Sequence, residues 1–148
     1  ELGCGEGHLS AALGRSFCHV VGFDLDPNIV GRATARNGDP GHIEFRVGRM
    51  PGDFPDLPFD LLVLSEMLYF LTEGEIEDLL SAACRHANPG AGLLLVNYLG
   101  PTEAPLSGDD AADFLTMAAS EKMTLVRSER RERYRIDLMR FRAPDGAA

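Results

Sequence analysis

The chain has no tryptophan, only three cysteines in 148 residues, and no apolar run near the ~18 residues that a membrane-spanning helix needs. No helical membrane span is therefore expected. Cys4, Cys18 and Cys84 are odd in number, form no C-x-x-C pair and do not group with the four histidines, so neither a disulfide framework nor a metal site is implied. They read as reduced core thiols, and the expected compartment is the cytoplasm. Basic residues are scarce: 14 Lys and Arg against 23 Asp and Glu leave a net charge of −9 and a pI near 4.8. That balance argues against a nucleic-acid partner held through its phosphates and favours a small neutral or cationic substrate. No signal-peptide pattern, internal repeat, low-complexity tract or interdomain linker appears, so export is not expected, and the oligomeric state is left open. With 45% hydrophobic residues the chain is expected to be one domain over residues 1–142, with 143–148 a disordered tail.

What is present begins at once. Glu1-Leu2-Gly3-Cys4-Gly5-Glu6-Gly7 reads as the end of a buried strand entering a glycine-rich turn that opens a helix. Such a turn brings bare backbone N–H groups up to a ligand where no Cβ would fit. The chain starts without methionine and already at a strand end, so an upstream segment completing that strand is expected. His19-Val20-Val21-Gly22-Phe23-Asp24 reads as a second apolar strand ending in a carboxylate, about where a ribose-binding acid belongs. A dinucleotide fingerprint would place its third glycine at position 8, which is His8; here the spacing is G-x-G-x-G and closes at Gly7.

Helical and strand-like patterns then alternate. Residues Gly7–Ser16 carry a helical apolar stripe at Leu9, Ala12 and Leu13, and Asp26 followed by Pro27 opens a second helix. Asn37 to Gly41 is turn-rich, and Ile43–Val47 alternates as a strand. Asp60–Ser65 is a continuous apolar run of the kind a parallel strand shows when covered on both faces. Thr72 and Glu75 form a capping box ahead of Ile76, Leu79, Leu80 and Ala83, a helix that Asn88-Pro89-Gly90 should stop. A strand over Gly92–Leu99 and a helix from about Asp109 to Ser120 follow. Met123–Arg127 and Tyr134–Phe141 alternate as an antiparallel pair with Ser128–Arg133 as an exposed turn, and Arg127, Arg130, Arg131, Arg133 and Arg135, interleaved with Glu129 and Glu132, read as a solvated hairpin face.

This order, with Leu64-Ser65-Glu66-Met67-Leu68-Tyr69-Phe70-Leu71, the Pro-Gly turn and the terminal hairpin, resembles the class I S-adenosylmethionine-dependent methyltransferases over nearly the whole chain. Within them, the Ser-Glu-x-Leu-Tyr-Phe-Leu segment, Leu106-Ser107-Gly108-Asp109 and the closing Leu-x-Arg-Phe-Arg resemble the nodulation protein S branch, which N-methylates a glucosamine amine. The resemblance implies an α/β fold: a Rossmann-like, doubly wound, mostly parallel sheet closed by an antiparallel hairpin. It implies S-adenosyl-L-methionine as cofactor and a small-molecule acceptor, an amine, as substrate. Glu1 would fix the cofactor's ammonium group, Gly3, Cys4, Gly5 and Gly7 would form the loop beneath it, Asp24 would accept from both ribose hydroxyls, and Leu25 would lie against adenine. Ser65 joins this set. Many relatives carry an aspartate where this chain has Arg49, and arginine has no acceptor. Backbone groups near Arg49 and Met50 are then left to hold the adenine.

Methyl transfer needs mainly an in-line approach, which positioning supplies, and an amine must first lose a proton. Glu66, just past a strand's carboxyl end, is the candidate catalytic residue that orients the amine and takes that proton. Tyr69, Asn97 and Tyr98 are candidate substrate-binding residues. Two other readings stay open: a non-catalytic or truncated cofactor-binding module, and a nicotinamide-dependent oxidoreductase.

Overall fold

The computed structural model describes residues 1–37 and 41–142, which form two compact units, Glu1–Asp53 and Phe54 onward. The expected disordered tail, 143–148, lies outside the described residues, as do positions 38–40 of the turn-rich segment.

The first unit is built on two parallel strands, β1 (Val20–Asp24) and β2 (Ile43–Val47), in the register Val20 with Ile43 through Asp24 with Val47. Ahead of them, the expected strand end is a single parallel bridge between Leu2 and Phe23. The Phe23 N–H donates to the Glu1 carbonyl at 2.8 Å, and Gly3 N–H donates to the Phe23 carbonyl at 2.9 Å. Helix α1 covers only His8–Leu13, shorter than the stripe suggested. Helix α2 (Pro27–Asn37) starts as expected, with the Asn28 N–H donating to Asp26 Oδ1 at 2.8 Å. Val30 and Ala33 are its buried residues.

The second unit is a four-stranded mixed sheet in the order β3-β4-β6-β5. β3 (Phe59–Ser65) pairs in parallel with β4 (Ala87–Tyr98), and the crossover between them is helix α3 (Glu73–His86). β6 (Tyr134–Phe141) pairs antiparallel with β4 on one side and with β5 (Met123–Arg130) on the other. Helix α4 (Gly108–Ala118) links β4 to the hairpin. Leu62, Val63 and Leu64 of β3, Leu93 and Leu95 of β4, and Ile76 and Leu79 of α3 are buried, so the apolar runs seen in the sequence form this unit's core.

Several boundaries differ from the sequence reading. Helix α3 ends at His86 without waiting for Asn88-Pro89-Gly90, and those residues lie inside β4, which begins at Ala87. The chain turns directly into a strand because Ala87 already has extended backbone, and the pairing slips between Phe59 and Leu61, where the Pro-Gly segment is accommodated. Ser128–Arg130, expected in the turn, continue β5, so the turn is only Arg131–Arg133. The hairpin arginines are also more than a solvated face. Arg130 grips both oxygens of Asp109 at 2.5 and 2.6 Å, and Arg135 pairs with Asp113 at 2.6 Å and with the fully buried Asp137 at 2.8 Å, tying α4 to the hairpin.

The capping box is present as read: Glu75 N–H donates to Thr72 Oγ1 at 3.3 Å and Thr72 N–H donates to Glu75 Oε2 at 2.9 Å. Thr72→Ala removes the side-chain acceptor and should cost about 1 kcal/mol in a urea denaturation midpoint analysis.

Candidate functional site

In the first unit the glycine-rich loop and the end of β1 are built together. Gly3, Gly5 and Gly7 all have positive φ (79°, 52° and 78°), which lets the chain leave the Leu2 bridge and turn into α1 within five residues. At Gly7 a Cβ would lie 2.6 Å from the Phe45 ring and from Asn37 Nδ2, so no larger residue fits. At Gly5 the space a Cβ would point into is empty to 4 Å, which makes it the open side of the loop. Gly5 N–H donates to Asp24 Oδ2 at 3.0 Å, and Asp26 N–H donates to Asp24 Oδ1 at 3.1 Å. Each carboxylate oxygen of Asp24 thus keeps a lone pair.

Glu1 is held from below by the Ser10 hydroxyl, which donates to its Oε2. Burial pushes the Glu1 carboxyl above the usual range, against the lowering effect of the Ser10 hydrogen bond. Cys4 is buried, and its thiol is pushed up to about 12, first by burial and then by the charges of Glu1 and Asp24, so it is an unreactive packing group. Leu25, the residue after Asp24, is 60% exposed. Gly48 N–H donates to the Asp24 carbonyl at 3.0 Å and starts the following segment at the same strand ends. There the Arg49 N–H donates to Asp53 Oδ2 at 2.8 Å, and Met50 is buried ahead of a cis bond to Pro51. Asp53 was not singled out by the sequence.

In the second unit Ser65 ends β3 opposite Val96, and the Glu66 N–H donates to the Val96 carbonyl at 2.8 Å. Glu66 has φ 55°, the sole described residue other than glycine with positive φ. A left-handed residue with a Cβ costs about 1 to 2 kcal/mol and points to a site that uses the resulting side-chain direction. Tyr69 donates its hydroxyl to Glu66 Oε2 at 2.8 Å, while Glu66 Oε1 is buried with no hydrogen-bond partner. Burial, and then the hydrogen bond to Glu66, push the Tyr69 hydroxyl well above its ordinary range, so it remains a donor. Asn97 is fully buried, and neither its Oδ1 nor its Nδ2 has a partner. Tyr98 follows it and points to the opposite face of β4, so the two do not line one wall together. Tyr98 meets Tyr134, its partner across the β4–β6 pairing, with ring centroids 6.0 Å apart. Tyr134 was missed in the sequence, although its alternating strand carried the signal. Among the described residues no group of three or more His, Cys, Asp or Glu is arranged to hold a metal ion, and no helix is long and apolar enough to cross a membrane.

Residues 1–90, more than half of the chain, match the family model described as a methyltransferase domain. The chain belongs to this family. The cofactor of the methyltransferase domain is S-adenosylmethionine. The cypemycin N-terminal methyltransferase of a Streptomyces species is 29% identical over 132 residues, 85% of this chain and 51% of that protein. The ubiquinone biosynthesis O-methyltransferase of Xylella fastidiosa is 31% identical over 108 residues, 70% of this chain and 42% of that protein. The chain spans about half the length of the curated relatives it matches. The structure of the N-methyltransferase NodS from Bradyrhizobium japonicum, in complex with S-adenosyl-l-homocysteine, superposes with a TM-score of 0.80 at 20% identity, covering 95% of this chain and 75% of that one. That likeness establishes the Rossmann-like class I methyltransferase fold with its mixed sheet.

The residues of the first unit fit this cofactor: an open glycine loop, a carboxylate with free lone pairs on both oxygens, and an exposed leucine. Substituting Glu66→Gly should raise stability by about 1 kcal/mol through relief of the positive φ, an outcome that thermal melting checks.

Proposed function

We propose that residues 1–142 act as one methyltransferase domain that transfers a methyl group from S-adenosylmethionine to the nitrogen of a small amine. When bound, the cofactor supplies an electrophilic methyl group on a sulfonium centre. Asp24 accepts hydrogen bonds from the two ribose hydroxyls, using the lone pairs left over from Gly5 and Asp26. Gly3, Cys4, Gly5 and Gly7 give the loop its close approach, Glu1 takes the ammonium group, and Leu25 covers the adenine. Backbone groups at Arg49 and Met50 hold its edge.

The observation that carries the amine reading is the state of Glu66. One carboxylate oxygen is occupied by Tyr69, and the other is buried and unpartnered on a residue held at φ 55°. A buried acceptor of this kind requires a donor, and an amine N–H supplies one. Glu66 then orients the nitrogen and receives the proton that must leave before the lone pair is free. Tyr69 binds the rest of the acceptor, and Asn97 and Tyr98, on opposite faces of β4, do not both line its site.

An N-methyltransferase of the nodulation protein S kind is favoured by the Ser65-Glu66 to Leu71 segment and by the names of two of the three similar proteins. The third, an O-methyltransferase, makes a hydroxyl acceptor the alternative, and a hydroxyl also donates to Glu66. A cytoplasmic setting suits the three free cysteines.

Calorimetric titration with S-adenosylhomocysteine tests the cofactor half. Asp24→Ala should weaken binding by at least ~1.5 kcal/mol, and unchanged affinity would remove Asp24 from the ribose site. Glu66→Gln should lower kcat about a hundredfold for amine acceptors. Full turnover of that variant at every pH would take the proton-transfer role away from Glu66.

A further inference from the structure

The loop from Gly3 to Gly7 carries a glycine at every second position, each at positive φ, so its backbone has more freedom to lose on ordering than other chain of the same length. Gly3 and Cys4 donate to the Phe23 carbonyl, and Gly5 donates to Asp24. The next residue, Glu6, is held through its side chain. Glu6 Oε1 meets Arg32 Nε at 3.0 Å, and Glu6 Oε2 meets Arg36 Nη2 at 2.6 Å.

Both arginines belong to α2, at positions i and i+4, and so share one helix face. Like charges at that spacing repel and weaken a helix, and among the described residues neither arginine pairs with another carboxylate. Glu6 offsets a repulsion that α2 carries by itself, and in doing so one carboxylate ties the loop to two points along the helix. The Arg36 hydrogen bond, and then the charges of Arg36 and Arg32, hold the Glu6 carboxyl below its ordinary range, so it stays charged at neutral pH. Gly7 brings the loop to the same end of α2, because a Cβ there would meet Asn37, the residue after Arg36.

We infer that Glu6 is a positioning residue for the cofactor: its double ion pair to Arg32 and Arg36 latches the glycine loop to α2 in the shape that S-adenosylmethionine meets. The ordering of the loop is then completed on folding and does not weaken binding. Glu6 acts through the backbone of Gly5 and Gly7, not by touching the ligand. The inference rests on the reading that this loop takes the cofactor.

Calorimetric titration with S-adenosylhomocysteine, run beside thermal melting, separates a latch from an ordinary surface ion pair. Glu6→Gln keeps the size of the side chain and removes its charge, and it spares Arg36, whose place in the last turn of α2 suits a cation on its own account. At an ionic strength of about 0.01 M the variant should bind about fivefold more weakly than the wild type. At about 1 M, where exposed charges are screened, the difference should fall below about twofold. Exchanging the charges, by combining Glu6→Arg with Arg32→Glu and Arg36→Glu, should bring the affinity back to within about twofold of the wild type. A lowered melting temperature with unchanged affinity, a loss of affinity that persists at high salt, or no recovery in the exchanged variant would overturn the inference. Asp24→Ala in the same titration keeps the two readings apart. If it weakens binding and Glu6→Gln does not, only the latch falls. If the wild type shows no binding, or neither substitution alters it, the loop is not the cofactor site and the latch falls with it.

Discussion

The Asp24 carboxylate is the fastening point of the first unit. It accepts from Gly5 on one oxygen and from Asp26 on the other, so the loop after Leu2 and the entry to α2 are both referred to the last residue of β1. Neither segment has regular structure of its own at these positions, and their donors would otherwise have to be met by water. The positive φ values at Gly3, Gly5 and Gly7 follow from this constraint, because the loop must reach Asp24 and still enter α1 at His8. The Phe45 ring packed where a Cβ of Gly7 would stand fixes the loop from the other side.

The second unit uses the same device with opposite chemistry. At the end of β3 the chain again adopts a left-handed residue, but here it is Glu66 and not glycine. The backbone strain is held by the Val96 carbonyl and by Tyr69, and the result is a carboxylate oxygen buried without a partner. A glycine would be easier to place and would leave nothing to bind with. The distribution of polar groups across β4 and β6 is equally uneven. One face carries the Arg135–Asp137 network that ties α4 to the hairpin, and the other carries the Tyr98–Tyr134 pair. The structural charges and the aromatic pair are thereby separated by the period-two alternation of the strands.

Much of this was legible from the residues alone. The G-x-G-x-G turn, the carboxylate at position 24, the capping box at Thr72 and the apolar run ending at Ser65 each depend on a few adjacent residues, and each appears where local chemistry put it. Ile43–Val47 was readable to the residue because alternation and flanking turn chemistry agree there. The family match over residues 1–90 bears on the same stretch that carries these motifs. The boundaries that shifted are those set by partners distant in sequence: β4 begins at Ala87 because Phe59 pairs with it, and β5 runs to Arg130 because Arg135 lies opposite.

What the sequence determined by itself was the set of local turns, caps and apolar periods, and with them the α/β class and the positions of Asp24 and Glu66 along the chain. Only the tertiary structure decided that Glu66 is held at positive φ with a spare oxygen, that Ser10 lies under Glu1, that Asp53 closes on the Arg49 backbone, and that Tyr98 and Tyr134, far apart in sequence, meet edge to face. The reason is physical: propensity and capping act within a few residues, whereas side-chain meetings are fixed by strand register and packing, which no local segment encodes.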